Sequence, residues 1–155
     1  AWRFVLVTPL GKAGLAGRDE MEAFHRLPPM PRHTTERLRG IAHEEMLPAL
    51  LEGDAGRFGD SLFEYGRLVG SYFAPVQGGI FARREMEELV DRLRARGLRG
   101  VGQTSWGPTI FALCENDVEA DELVRDLRSR GREKNWRIST AAPRNEGARV
   151  CAPGD

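Results

Sequence analysis

The sequence predicts an α+β domain in the split order β-α-β-β-α-β, with extra helices in the first crossover. Three observations predict it. A β-branched, aromatic and apolar run opens the chain at residues 2–7. Two short apolar runs, 98–103 and 109–114, flank a turn that contains Gly107-Pro108. Between and after these, apolar residues recur at steps of three and four, and a last segment alternates with period two. The 155 residues suit one domain, residues 1–155, large enough to bury a core without disulfide or metal staples.

The elements follow in order. Residues 2–7 carry apolar side chains on both faces, which suits a strand covered on both sides or nearly so. Gly11, Gly14 and Gly17 mark a loop, and residues 18–26 form a short helix stopped by Leu27-Pro28-Pro29-Met30-Pro31. Thr34 or Thr35 is the expected cap of a helix whose apolar face is Leu38, Ile41, Ala42 and Met46, with Pro48 breaking or kinking it. Asp54 caps a longer helix bearing Phe58, Leu62, Tyr65, Val69 and Tyr72. Gly59, Gly66 and Gly70 weaken that helix, and close packing against a neighbour is the expected compensation. After Pro75 to Gly79, a further helix presents Met86, Leu89, Val90 and Leu93 and stops at Gly97. Asn116 and Glu119 form a capping-box-like start for a helix with Ala120, Leu123, Val124 and Leu127. Trp136, Ile138 and Thr140 alternate with Arg137 and Ser139 as a half-buried last strand, and a turn-rich tail follows from Pro143. Helices over one face of an antiparallel sheet are the expected packing.

Charge and composition exclude several classes. The 23 basic and 23 acidic residues cancel, so nothing resembles the electrostatic footprint of a nucleic-acid binder. The cluster Arg125, Arg128, Arg130, Arg132, Lys134 and Arg137 is interleaved with acids and reads as a solvated face. No apolar stretch is long enough for a membrane span, which points to the cytoplasm. Cys114 and Cys151 have no metal-ligand spacing, and His25, His33 and His43 are scattered. A chain that opens within a strand, without an initiator Met, reads as cut from something longer, and an engineered or processed start would read the same.

The stretch with chemical character runs from Gly100 through Gly102, Gln103, Thr104, Ser105, Trp106, Gly107, Pro108 and Thr109 to Leu113. Glycines admit close approach of backbone to a ligand, the hydroxyls suit a phosphorylated or anionic one, and an exposed Trp106 would stack on a flat ring. A hairpin turn with Trp106 plugging a hydrophobic gap explains the same residues equally well.

This run resembles the third motif of the GHMP kinases, a strand-turn-strand ending in Gly-Pro-Thr and an apolar strand. Three stretches, Trp2 to Pro9, Tyr72 to Gly79 and Gly100 to Leu113, together resemble the C-terminal part of the β-ribofuranosylaminobenzene 5′-phosphate synthase family. Asn145-Glu146-Gly147-Ala148 is similar to the closing turn of that family. The resemblance covers essentially the whole chain but only the second half of such an enzyme. It implies a ferredoxin-like C-terminal domain and a missing partner, the N-terminal domain with the main phosphate-binding loop. The reaction it implies joins phosphoribosyl pyrophosphate to 4-hydroxybenzoate or 4-aminobenzoate, with loss of carbon dioxide and pyrophosphate, toward methanopterin-type cofactors. A homodimer is implied too, and Mg²⁺ only as the usual companion of pyrophosphate esters in a complete enzyme.

Two departures bear on the chemistry. Superfamily kinases usually carry Ser-Gly-X-Gly-Pro in the turn, whereas Thr104-Ser105-Trp106-Gly107-Pro108 puts a bulky ring there and favours the synthase-like branch. The superfamily's glycine-rich phosphate loop is absent from these residues. What the resemblance implies for the site is one wall of a shared cleft, made by Gln103, Thr104, Ser105, Trp106, Gly107 and Thr109 with Gln77, Gly78 and Gly79. Trp106 would stack on the aromatic acid, and Gln77, Gln103, Thr104 and Ser105 would bond to carboxylate or ribosyl oxygens. For Gln77, a buried polar residue capping a helix is the competing reading. No residue reads as a general base, nucleophile or metal ligand. The rival functions are an ATP-dependent small-molecule kinase of the same superfamily and a non-catalytic assembly or ligand-sensing module.

Overall fold

In the computed structural model, which describes residues 1–11, 14, 17–129 and 135–147, the opening strand becomes the centre of a sheet. Strand β1 (Arg3–Pro9) pairs antiparallel with β3 (Ile110–Cys114) on one side and β4 (Trp136–Ala141) on the other. The short β2 (Val101–Gln103) pairs antiparallel with β3, giving the order β2-β3-β1-β4. Five helices lie between β1 and β2: α1 (Arg18–Arg26), α2 (Arg32–Gly40), α3 (Leu47–Glu52), α4 (Ala55–Gln77) and α5 (Arg84–Ala95). A π-helical segment, Ile41–Met46, joins α2 to α3, and α6 (Asp117–Ser129) joins β3 to β4. The α+β class and the four-stranded antiparallel sheet are as the sequence predicts.

Register decides which side chains form the core. Val5 faces Ala112 and Thr140 across the ladders, and Val7 faces Ile110 and Ile138. Residues paired in this way share a face of the sheet. That face is closed by Met86, Leu89, Val90 and Leu93 of α5 with Ala120, Leu123 and Leu127 of α6. Burial of each large aliphatic side chain there stabilises the fold by about 1.5–3 kcal/mol. Phe4, Leu6 and Phe111 occupy the opposite face and are half-buried. The expectation of helices over one face needs correction. While α5 and α6 cover the first face, α4 lies along the β2 edge: Phe63 reaches the core, and Leu62, Tyr65 and Val69 share a cleft with Phe111.

Local chemistry explains most boundaries. The Asp54 carboxylate accepts from the Arg57 amide at 2.9 Å, satisfying a free donor at the start of α4. At the end of α5, Gly97 sits at φ 93° and the Leu98 amide donates to the Leu93 carbonyl. Asn116 Oδ1 accepts from the Glu119 amide, while the Glu119 carboxylate reaches back to the Glu115 amide.

Other boundaries differ from the sequence reading. Helix α2 begins at Arg32 behind Pro31, so neither Thr34 nor Thr35 is its cap; Thr35 instead donates its hydroxyl to the Pro31 carbonyl. Pro48 does not break the helix. It sits in the first turn of α3, directly after the π-helical segment. A proline ring clashes with the carbonyl four residues back, and a wider turn relieves that clash while the chain stays helical. Helix α4 runs through Pro75 to Gln77, and the strand expected over 98–103 is confined to Val101–Gln103. Among the described residues no helix is long and apolar enough to cross a membrane.

Candidate functional site

The turn between β2 and β3 is held in one shape by its own backbone. The Thr104 amide donates to the Thr109 carbonyl at 2.9 Å, and the Gly107 amide donates to the Thr104 carbonyl at 2.7 Å. Ser105 lies at φ 45° and Gly107 at φ 66°, and the Gly107-Pro108 peptide is cis. A side chain on Gly107 would meet the Gln103 amide group at 2.7 Å, so glycine is required there. The Thr109 hydroxyl lies 2.9 Å from that of Thr8, tying the turn to β1.

Trp106 is not an exposed platform. Its ring is only 6% exposed and packs 4.6 Å from the Phe73 ring and 5.5 Å from the Phe24 ring, centroid to centroid. Its indole N–H donates to Glu20 Oε1 at 2.7 Å. The exposed-ring reading is therefore corrected: Trp106 plugs the gap between α1, α4 and the turn. Buried tryptophans usually find such a polar partner for the ring nitrogen.

The two glutamines come together. Gln77, in the last turn of α4, donates from Nε2 to the carbonyls of Gly79 at 2.8 Å and Ile80 at 2.9 Å. These bonds come near the competing reading of a buried polar cap, although Gln77 is half-buried and the two carbonyls lie just beyond the end of α4. Gln103 Oε1 accepts from the Ala82 amide at 2.7 Å, while its Nε2 donates to the Ser105 carbonyl at 3.1 Å. The segment after α4 is thereby bonded to the turn. Gln77, Gln103 and Ser105 line one cleft of about 270 Å³, walled by Tyr65, Val69 and Phe73 of α4 and by Phe111 of β3. Thr104 is exposed and Thr109 half-buried on the turn, while Gly78 and Gly79 form the bend that follows α4.

Sequence reading missed the α4 wall of this cleft, because Leu62, Tyr65 and Val69 look like an ordinary core stripe. The signal present was Gly66 in the middle of that stripe. Glu20 as partner of Trp106 left no signal, being 86 residues away. Cys114 is fully buried, and burial together with the nearby Glu119 carboxylate pushes its thiol up to about 12. It is a packing residue. Among the described residues no three His, Cys, Asp or Glu side chains gather as a metal site. The Asn145–Gly147 turn is exposed, and its last residue, Ala148, lies outside the described residues, as do Arg130, Arg132, Lys134 and Cys151.

Comparison with known proteins agrees with this architecture. Residues 46–133 match the family described as GHMP kinases C terminal. The chain is 29% identical over 155 residues to a β-ribofuranosylphenol 5′-phosphate synthase of Methanothermobacter thermautotrophicus, covering 95% of this chain and 42% of that protein. It is 27% identical over 153 residues to the protein of the same name from Archaeoglobus fulgidus, covering 96% of this chain and 44% of that one. The chain thus spans less than half the length of these relatives. Among solved structures, L. major mevalonate kinase in complex with R-mevalonate superposes with a TM-score of 0.65 at 20% identity, covering 92% of this chain and 43% of that one. Homoserine kinase from Cytophaga hutchinsonii superposes with a TM-score of 0.51 at 14% identity, covering 90% and 40%. At these identities the solved structures speak for the fold alone.

Proposed function

Since this chain belongs to the GHMP kinase C-terminal family, we propose that it is the C-terminal half of a β-ribofuranosylphenol 5′-phosphate synthase-like enzyme. The observation that carries the reading is the likeness to two such synthases over at least 95% of the chain. The strand order β2-β3-β1-β4, with helical crossovers, supports a ferredoxin-like topology for this half. The remaining partner is an N-terminal domain with the phosphate-binding loop.

In this reading the enzyme condenses phosphoribosyl pyrophosphate with 4-hydroxybenzoate or 4-aminobenzoate. A bond forms between the anomeric carbon and the ring carbon that bears the carboxylate. Pyrophosphate leaves the sugar with its bonding pair, and carbon dioxide leaves the ring, returning its pair to the aromatic system. The product suits methanopterin-type cofactor synthesis in the cytoplasm. Described residues of this half supply no acid, base or nucleophile to the wall, so its part is to bind and orient. Gln77, Gly78 and Gly79 and the turn residues Gln103, Thr104, Ser105, Trp106, Gly107 and Thr109 form that wall. Trp106 and Gln103 hold it in shape, and the exposed Thr104 and Ser105 hydroxyls face the sugar and its anionic groups. Among the described residues no three His, Cys, Asp or Glu side chains gather, and no step is routed through a magnesium ion.

The test follows pyrophosphate release from phosphoribosyl pyrophosphate by the full-length protein, with and without 4-hydroxybenzoate or 4-aminobenzoate. Release that depends on the aromatic acid, with carbon dioxide formed in step, is the expected result. A folded protein that releases none and consumes ATP instead would move the assignment to the small-molecule kinases.

A further inference from the structure

Three of the four glycines of helix α4, Gly59, Gly66 and Gly70, face the rest of the fold differently. A methyl on Gly59 would meet the Gly100 amide nitrogen at 2.6 Å, and one on Gly70 would run into the Ile80 carbonyl oxygen. Both are glycine because another backbone lies against them. Gly66 is glycine for neither reason: its φ is ordinary and a methyl there would find nothing within 4 Å. Close packing, the compensation expected of all three, is absent at this one. What Gly66 borders is the cleft between α4 and Phe111. A larger residue at this point would project into that space.

The cleft has a definite chemistry. None of the residues lining it is charged. Tyr65, Phe73, Phe81 and Phe111 supply aromatic surface. The Tyr65 hydroxyl and Gln77 Oε1 have no hydrogen-bond partner among the described residues, although Gln77 Nε2 is committed to carbonyls. An engineered apolar cavity of about 150 Å³ takes up benzene, so a space of about 270 Å³ has room for one ring and its substituents.

We propose that this cleft binds a single aromatic ring whose inner end carries an uncharged hydrogen-bonding group, and that Gly66 keeps it open. The phenol hydroxyl or aniline amine of such a ring donates to Gln77 Oε1 or exchanges a bond with Tyr65. A carboxylate is disfavoured at that position, since no cation lines the cleft to offset the loss of its hydration. A para-substituted acid therefore enters with its neutral group inward and its carboxylate at the mouth. Equating this ring with the aromatic acid of the synthase rests on the function proposed above; the ring site itself does not.

Ligand-observed NMR titrations of the full-length protein test it, with phenol, 4-hydroxybenzoate and terephthalate as probes. Terephthalate has nearly the size of 4-hydroxybenzoate but must bury a second carboxylate, so its binding should be weaker by at least about thirtyfold. Gly66→Leu should weaken phenol and 4-hydroxybenzoate by about tenfold or more without lowering the melting temperature, and Gly66→Ala by less. Equal binding of terephthalate and 4-hydroxybenzoate, or phenol binding untouched in a folded Gly66→Leu protein, would overturn the site. Should Gly66→Leu fail to fold, the terephthalate comparison on the unaltered protein decides. Ring binding without any turnover of phosphoribosyl pyrophosphate would leave the ring site standing and remove the synthase reading. Turnover with no ring binding would do the reverse.

Discussion

Trp106 and Glu20 are joined by an indole N–H donating to a carboxylate at 2.7 Å, and this bond fastens α1 over the turn between β2 and β3. Helix α1 has only one buried residue, Ala23, so its hold on the domain depends on this bond and on the contacts of the Phe24 ring with Trp106 and Phe73. Elements with so little buried surface open locally at low cost.

Replacing Glu20 by Ala leaves a buried donor without a partner and should destabilise the protein by about 1–3 kcal/mol, measured by denaturant unfolding. Glu20→Gln keeps an acceptor and should recover most of the loss. Equal losses for the two would mean that the carboxylate charge, and not the hydrogen bond, holds α1.

The α4 glycines should respond to alanine with opposite signs. Gly66→Ala should stabilise by about 0.5–1 kcal/mol, the usual gain of Ala over Gly in a helix. Gly59→Ala and Gly70→Ala should each destabilise by about 1–3 kcal/mol, because the methyl meets backbone that cannot move aside. Thermal unfolding of the three single variants checks the order.

Gln103→Leu removes the acceptor for the Ala82 amide while keeping side-chain bulk. Hydrogen exchange at Ala82 should speed up by about tenfold, reflecting a loss of roughly 1.4 kcal/mol in local closure. Gln103→Glu retains the oxygen and should keep that amide protected. Unchanged exchange in the leucine variant would mean that the segment after α4 is held by other contacts.

The Cys114 thiol should shape stability in alkali. Its value is raised from 9.0 to about 12 in the folded protein, so between these pH values the folded state holds a proton that the unfolded state has released. Stability then falls as pH rises through that window and is unaffected by this group below it. Cys114→Ala should flatten the slope of unfolding free energy between about pH 9 and 12, after correction for other titrating groups. An identical slope in the variant would show that the thiol does not titrate differently on folding.

Elements governed by local chemistry were readable directly. The caps at Asp54 and Asn116, the stop at Gly97, the α5 stripe and the turn at Gly107-Pro108 each rest on residues a few positions apart. What failed was governed by distance. Nothing near Trp106 in sequence announces Glu20, and the stripe of Leu62, Tyr65 and Val69 is the same whether it meets a core or an open cleft. Of the two outcomes expected at Pro48, a break or a kink, the break fails for a different reason: that rule assumes an α-helical pitch, and the preceding turn is wider. The assembly of Gln77 with Gln103 followed from the resemblance of their two stretches to one family, since their spacing alone gave no reason to join them.

The contacts of Gly59 with Gly100 and of Gly70 with Ile80 pin α4 at two points eleven residues apart, about 16 Å along its axis. The α4 wall of the cleft runs from Leu62 to Gln77 and takes in the second of these contacts, so Leu62, Tyr65 and Val69 stand on a stretch of helix anchored at both ends.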